Sequence, residues 1–392
     1  MNIALFTDTC FPQINGVSNT IDMMVKNFIK LNHQVHVFAP HYHPLPSYPR
    51  LSTFNSTSVW FYPDMRISHF NLKRVREVFD EFKPDVVHVM SELTCGMMGK
   101  IIAQERNIPL FTTFTTHIVE YARLHGVGYL SQPIWSYLKW FHKSSAQVLA
   151  PSMIIINELR DQKFKRVSLF KRGVDLSMYH PSYKAEMIDS FDLNDESIKF
   201  LYVGRISKEK NIELLIKVFN HCSSSLPIPM KLFVIGDGPL KHEMEKISNK
   251  NTHFLGFQDK TSLAKWYASV DAFIFPSMSE TFGNVILEAM ASETLVVGAK
   301  QGGVGCILNE HNGIAIDMQS YEDIFSIMKH IALRKIDKTQ YLEGMRKTCR
   351  EHDWEHVLNA LIQKYEQSMT FDKGLSSFKQ KHHLTHKKRV SL

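Results

Sequence analysis

What most constrains this chain is an alternation, run through twice, of short apolar segments with longer stretches of helical period. In the first half, segments at 2–6, 34–38, 58–62, 85–89, 109–113, 146–149 and 166–169 read as strands, with helical stretches at 17–31, 73–82, 95–106, 133–144 and 152–161 among them. In the second half, strands at 199–203, 230–235, 252–255, 271–275 and 294–297 alternate with helices at 211–221, 239–248, 261–268 and 283–291. Strands separated by helices rather than by tight turns predict parallel sheets covered on both faces. The fold class is therefore α/β, with two Rossmann-like, doubly wound domains. A chain of 392 residues is long enough for two cores of about 150–200 residues each. No internal sequence repeat underlies the similarity of the halves.

The second series restarts after a polar stretch, 181–197, that holds Pro181, Asp189, Asp192, Asn194, Asp195 and Glu196. This predicts domains at 1–180 and 181–371, with a late helix from 353 crossing back onto the first. Past Phe371 the chain turns Ser-, Lys- and His-rich, which predicts a disordered basic tail, 372–392. Positive charge concentrates in the first half and in this tail, where Lys379, Lys381, Lys387, Lys388 and Arg389 cluster. That distribution suits an anionic partner: nucleic acid, a membrane surface or an acidic substrate. Five scattered cysteines without a CxxC pair read as reduced thiols of a cytoplasmic protein. No apolar run reaches spanning length, and the N-terminus enters a strand pattern rather than a signal peptide.

In open parallel sheets, ligands bind where strands end and helices begin. Four such loops stand out. The segment Pro276–Ala291 runs from a strand end into a helix near Gly283, whose N-terminal N–H groups suit a diphosphate. Glu280 precedes that helix and Glu288 lies within it, so each could serve a different polar ligand or be an ordinary cap or surface acid. Val203–Asn211 follows another strand and offers Arg205 and Lys210, whose charges could hold a diphosphate. Gly236-Asp237-Gly238-Pro239 follows the next strand, and Phe11–Val17, with Gly16, links the first strand to its helix.

In this order the loops resemble glycosyltransferase family 4, a retaining family of GT-B fold. The resemblance rests on Gly16, Gly204-Arg205 with Lys210, Gly236–Pro239, Gly256-Phe257 and the Glu280/Glu288 pair in an E-x7-E spacing, and it spans about 1–315. Phe6–Val17, Trp135–His142 and Arg172–Asp175 resemble, more narrowly, bacterial GDP-mannose-dependent α-mannosyltransferases and glycolipid glycosyltransferases. The resemblance implies two Rossmann-like domains facing a central cleft, acceptor on the first and nucleotide sugar on the second. It implies that Arg205 and Lys210 bind the diphosphate, Glu280 the donor sugar and Glu288 the ribose. Gly16, Gly204, Phe282, Gly283 and Asn284 would complete the donor site.

No cofactor is implied beyond a GDP- or UDP-linked donor, and no metal, since no Asp-x-Asp occurs. The implied partners are a nucleotide sugar, a lipid or glycan acceptor and an anionic inner membrane face, not a nucleic acid. Three positions depart from the family pattern. The acceptor-side histidine falls on Thr115, with His117 two residues on; a usual glycine is Glu293; a usual polar residue is Cys306. Two rivals stay open: a nucleotide-sugar epimerase of the same fold, which would use the same diphosphate loop without an acceptor, and, from the three departures, a non-catalytic partner subunit. His352–His356 matches H-x-x-E-H, but on a late helix where a structural use is favoured.

Overall fold

The computed structural model describes residues 1–13, 16–59, 62–115, 118–124, 126–185, 187–188, 191–278, 280 and 282–387. The chain divides into two compact units. One comprises Met1–Pro151, Ile155–Phe170 and the chain from Glu355 onward; the other comprises Ser152–Ile154 and Lys171–Trp354.

The first unit is built on strands β1 (Asn2–Phe6), β2 (Gln34–Pro40), β3 (Leu51–Phe54), β4 (Ser56–Val59), β5 (Tyr62–Ser68), β6 (Val86–Val89), β7 (Leu110–Thr113), β8 (Gln147–Ala150) and β9 (Val167–Leu169). Seven of them form a parallel sheet in the order β3-β2-β1-β6-β7-β8-β9. Helices α1 (Gly16–Lys30), α2 (Leu72–Phe82), α3 (Thr94–Arg106), α4 (Ile118–Leu124), α5 (Ser131–His142) and α6 (Met153–Asp161) intervene. The central strands β6 and β7 are buried along their whole length, as strands covered on both faces must be. Phe6 stacks on Phe38 at 4.3 Å between ring centroids. Gly99 lets α3 close onto this stack, since a Cβ there would stand 2.6 Å from the Phe6 ring.

The strand expected at 58–62 is not in this sheet. Ser56–Val59 pairs antiparallel with β5, and Arg66 donates to Ser56 Oγ at 2.7 Å and Ser56 O at 3.0 Å. The place in the sheet goes to Leu51–Phe54, where alternate residues are buried, as suits an edge.

The second unit opens with the short antiparallel pair β10 (Met187–Ile188) and β11 (Phe191–Asp192). Its parallel sheet has β12 (Ile198–Val203), β13 (Met230–Ile235), β14 (Thr252–Gly256), β15 (Ala272–Phe275), β16 (Leu295–Ala299) and β17 (Ile314–Ile316), ordered β14-β13-β12-β15-β16-β17. The helices are α7 (Ile212–Ser225), α8 (Lys241–Ile247), α9 (Lys260–Ser269), α10 (Asn284–Ala291), α11 (Gly302–Gly305), α12 (Tyr321–Ala332) and α13 (Thr339–Glu351). All six residues of β12 are buried, and Lys199 within it is neutralised by Asp195 at 2.9 Å.

The compact units divide at Phe170/Lys171, where the sequence predicts 180/181. Residues 171–180 belong to the second core: Val174 bridges to Asp353, and the Tyr179 ring meets Tyr267 edge-on at 5.9 Å. The last helix, α14 (Trp354–Lys387), returns to the first unit from Glu355 on. There Tyr365 is fully buried, its hydroxyl 2.5 Å from His88 Nδ1 and its ring 4.7 Å from Phe111. The backbone of α14 stays helical through Lys387, where the sequence predicts disorder from 372. Lys, Gln and Leu are good helix formers, and Gly374 is the one strong breaker in that stretch.

Candidate active site

The adjacent strands β12 and β15 of the second unit lead into the residues predicted for the donor other than Gly16, which lies in the first unit, and the ends of β13 and β16 flank them on either side. After β12 the chain turns sharply at Gly204. The Tyr202 hydroxyl donates to the Arg205 carbonyl at 2.8 Å, and the Gly204 N–H donates to Ile235 O at 3.0 Å. The loop after β13 backs this turn. Ile206 N donates to Asp237 O at 2.9 Å, and a Cβ on Gly236 would lie 2.0 Å from the Gly204 carbonyl oxygen. The Gly236–Pro239 turn is thus a support for the Arg205 loop, pressed backbone to backbone against it.

The Arg205 side chain is exposed. Lys210 is partly buried and forms an ion pair with Glu280 Oε1, about one-fifth of each side chain remaining accessible (19% and 21%). Asn211, with a left-handed φ of 54°, ends the loop, and its side-chain N–H donates to Met318 O at 2.7 Å. These bonds fix the Lys210 backbone and aim its ammonium at the β15 loop.

Glu280 is held from behind by the loop after β16. Gly303 N donates to the Glu280 carbonyl at 2.9 Å. Gly302 has φ of 68°, and a Cβ there would stand 2.5 Å from Met278 O. The Gly302-Gly303 pair is thus a backbone clamp on the acid. Ser279 and Thr281 fall outside the described residues, as does His117.

Gly283 is the N-cap of α10, and among the described residues no side chain caps that first turn. Asn284 opens the helix with its side chain partly exposed. The Phe282 side chain lies in the core, 5.8 Å from the His352 ring, so only its backbone can contribute to the loop. Glu288 differs from the surface acid the sequence allowed. It is packed beside Tyr267, whose hydroxyl donates to Oε2 at 3.2 Å, and it also takes a bond from Tyr179. Burial lifts its carboxyl from the usual 4.5 to about 7.

In the first unit, Gly16 begins α1, and Ile14 and Asn15 before it fall outside the described residues. Thr115 is buried and donates to Met90 O at 3.1 Å. Sequence reasoning missed Asp8. Its carboxylate accepts from Ser91 Oγ (2.7 Å), Cys95 N (2.7 Å), Thr94 Oγ1 (3.3 Å) and Gly96 N (3.3 Å), tying the end of β1 to the start of α3. Burial pushes its proton affinity up although all four bonds pull it down. The signal was an acid at one strand end and a Ser-x-x-Thr at the next.

The departures from the family pattern have local structural accounts. Glu293 follows α10 with φ of 56°, a conformation that favours glycine, and is held by Arg346 at 2.7 Å. Cys306 is an exposed thiol just past α11.

Two parallel-sheet α/β units, with a lysine–acid pair and a helix N-terminus at the strand ends of the second, are the architecture of the GT-B class. Among solved structures, sucrose-phosphate synthase of Thermosynechococcus elongatus superposes with a TM-score of 0.74 at 19% identity, over 93% of this chain and 98% of that one. Anabaena HepE in complex with UDP and glucose gives 0.74 at 16% identity, over 94% and 100%. In sequence, the chain matches Glycosyltransferase Family 4 over residues 14–178 and Glycosyl transferases group 1 over 184–342. It is 30% identical over 312 residues to alpha-monoglucosyldiacylglycerol synthase of Streptococcus pneumoniae, covering 76% of this chain and 70% of that protein. It is 24% identical over 374 residues to GDP-mannose-dependent alpha-mannosyltransferase of Corynebacterium glutamicum, covering 93% and 88%. The chain belongs to glycosyltransferase family 4 and is a glycosyltransferase.

Proposed function

We propose that this enzyme transfers a hexosyl group from a GDP- or UDP-linked sugar to a lipid-linked or glycan acceptor, with retention of configuration and without a divalent metal. The observation that carries the proposal is the Lys210–Glu280 pair beside Arg205 and the uncapped N-terminus of α10. Two cations and a helix end can hold a diphosphate and offset the charge it gains as it leaves. Glu280 can accept hydrogen bonds from the sugar and favour positive character at the anomeric carbon. Glu288 takes the ribose hydroxyls. Attack and departure then occur on one face of an oxocarbenium-like sugar, and the leaving diphosphate takes the acceptor's proton. The first unit binds the acceptor.

The relatives' names support the substrate classes: one uses GDP-mannose and another makes a glucosyl diacylglycerol. Among the described residues no helix is long and apolar enough to cross a membrane. A lipid acceptor would then be met from the surface, where each basic residue near anionic lipid contributes about 1 kcal/mol. The cluster from Lys379 to Arg389 can supply that attraction. Vesicle sedimentation with and without residues 372–392 tests this part; equal binding at low salt removes the tail from it.

The activity itself is tested by incubating the protein with GDP-mannose or UDP-glucose and a diacylglycerol or glycan acceptor. The product's anomeric configuration is then read by NMR. Retention, unchanged by EDTA, is the expected result, with Glu280→Gln lowering kcat steeply at near-constant donor KM. Inverted product, or turnover by Glu280→Gln near that of the wild type, would mean that the motif runs a different chemistry here.

A further inference from the structure

We infer that Glu280 makes the donor site select a nucleotide sugar over the free nucleoside diphosphate, by occupying Lys210 whenever no sugar is present to take its place. This rests on the donor reading above and extends it to what the acid does in the empty site. Lys210 and Glu280 face each other across two separately supported loops, one backed by Gly236 and Asp237, the other by Gly302 and Gly303. Both side chains are mostly shielded, so the pair is not a loose surface contact. Arg205, by contrast, is exposed and has no ion-pair partner among the described residues. The two cations that would receive a diphosphate therefore start from different states: Arg205 is available and Lys210 is engaged.

Any diphosphate that recruits Lys210 must separate it from Glu280. A partly buried carboxylate stripped of its cation is unfavourable unless other donors replace it. A nucleotide sugar brings those donors as hydroxyls. A free nucleoside diphosphate has no sugar hydroxyls to offer at Glu280, its ribose hydroxyls lying on the Glu288 side, and it adds a further negative charge at the phosphate from which the sugar has left. The same loop exchange thus admits the donor and expels the spent nucleotide. Glu280 acts as a gate on product affinity as well as on the reaction.

The test is calorimetric titration of UDP, GDP, UDP-glucose and GDP-mannose into the wild type, Glu280→Gln, Lys210→Ala and the double variant. The matched sugar and diphosphate pair that binds is then analysed. Glu280→Gln frees Lys210, so the nucleoside diphosphate should bind about 3- to 30-fold more tightly, and product inhibition should rise in step. Affinity for the nucleotide sugar should change by less than about threefold, because a lost restraint and a weakened sugar contact offset each other. In the Lys210→Ala background the gain for the diphosphate should largely vanish. If Glu280→Gln binds the diphosphate no better than the wild type, or if both ligands gain equally, the gate is refuted while the donor site stands. If none of the four nucleotides binds any of the proteins, the donor reading itself falls, and the gate with it.

Discussion

The Tyr267 hydroxyl donates to Glu288 Oε2 at 3.2 Å, so the acid expected to hold the donor's ribose is part of an aromatic cluster rather than a free surface carboxylate. Burial raises its carboxyl to about 7, above the 4.5 of an unfolded chain. The sign of the linkage follows. The folded protein holds a proton that the unfolded chain releases, so stability from this group is full below about 4.5 and is lost as pH rises through about 7. Glu288→Gln keeps an acceptor for both tyrosines and removes the ionisation. The variant should gain on the wild type by up to about 2 kcal/mol between pH 5 and pH 8, the partial exposure of the group being allowed for. Its donor KM should be raised and lose the fall that the wild type shows as Glu288 ionises. Parallel melting curves for the two proteins at both pH values would refute the assignment of the shift to Glu288.

The diphosphate contacts give a second prediction. Arg205→Ala and Lys210→Ala should each lower kcat/KM by roughly 30- to 1,000-fold, the loss of about 2–4 kcal/mol of charge-assisted stabilisation. Arg205→Ala should melt like the wild type, because the side chain is exposed. Lys210→Ala leaves Glu280 without its cation and should shift the melting temperature modestly. Activity of both proteins should be indifferent to Mg²⁺ and EDTA. A strict requirement for a divalent ion would show that the two cations do not carry the diphosphate alone.

Much of this fold is legible in the sequence because parallel strands covered on both faces announce themselves as unbroken apolar runs, such as Ile198–Val203 and Val86–Val89. The β4–β5 pair is not legible in that way: Ser56, Thr57 and Ser58 are polar, and their pairing depends on Arg66. Helices α12 and α13 carried readable signals, Ile324, Met328 and Ile331 falling on one buried stripe, but no motif drew attention to them. At the site, Arg205, Lys210, Glu280 and Glu288, the residues proposed to carry the chemistry, are picked out in the sequence by the order of the loops and the E-x7-E spacing. Their supports were not. Tyr179 and Tyr267 reach Glu288 from distant parts of the chain, and Gly236 and Gly302 matter only through backbones brought beside them by the sheet order. The packing of 171–180 with the second core is not legible for a similar reason, the bridge from Val174 to Asp353 being invisible locally.

Glu293 offers a prediction about stability alone. A non-glycine residue in the left-handed region costs about 1 kcal/mol or more, and an exposed ion pair contributes about 0.2–1 kcal/mol. Glu293, with φ of 56°, bears the first and gains the second from Arg346. Glu293→Gly should therefore be neutral to about 1 kcal/mol more stable than the wild type, while Glu293→Ala, which keeps the strain and loses the pair, should be less stable than both. Activity should be unchanged in each. Denaturant titrations that rank alanine at or above glycine would show that the conformation is not what the residue contends with.

The glycine clamps supply the last prediction. A methyl on Gly302 would meet Met278 O at 2.5 Å and would be placed on a residue with φ of 68°, so Gly302→Ala must displace either its own turn or the loop that carries Glu280. A methyl on Gly236 would meet the Gly204 carbonyl at 2.0 Å and must move the turn that carries Arg205. Neither neighbour is a flexible side chain, so the backbone itself has to give. Each variant should lose about 1–3 kcal/mol of stability. The kinetic consequences should differ by loop: Gly302→Ala should lower kcat by about tenfold or more with donor KM nearly unchanged, and Gly236→Ala should raise donor KM as well. Gly126 supplies the control, with φ of 77° and nothing within 4 Å of an added Cβ. Gly126→Ala should bear the conformational cost of about 1 kcal/mol and leave turnover intact. If all three variants lost activity in proportion to stability alone, the clamps would be ordinary turn glycines, with no special hold on the acid or the cations.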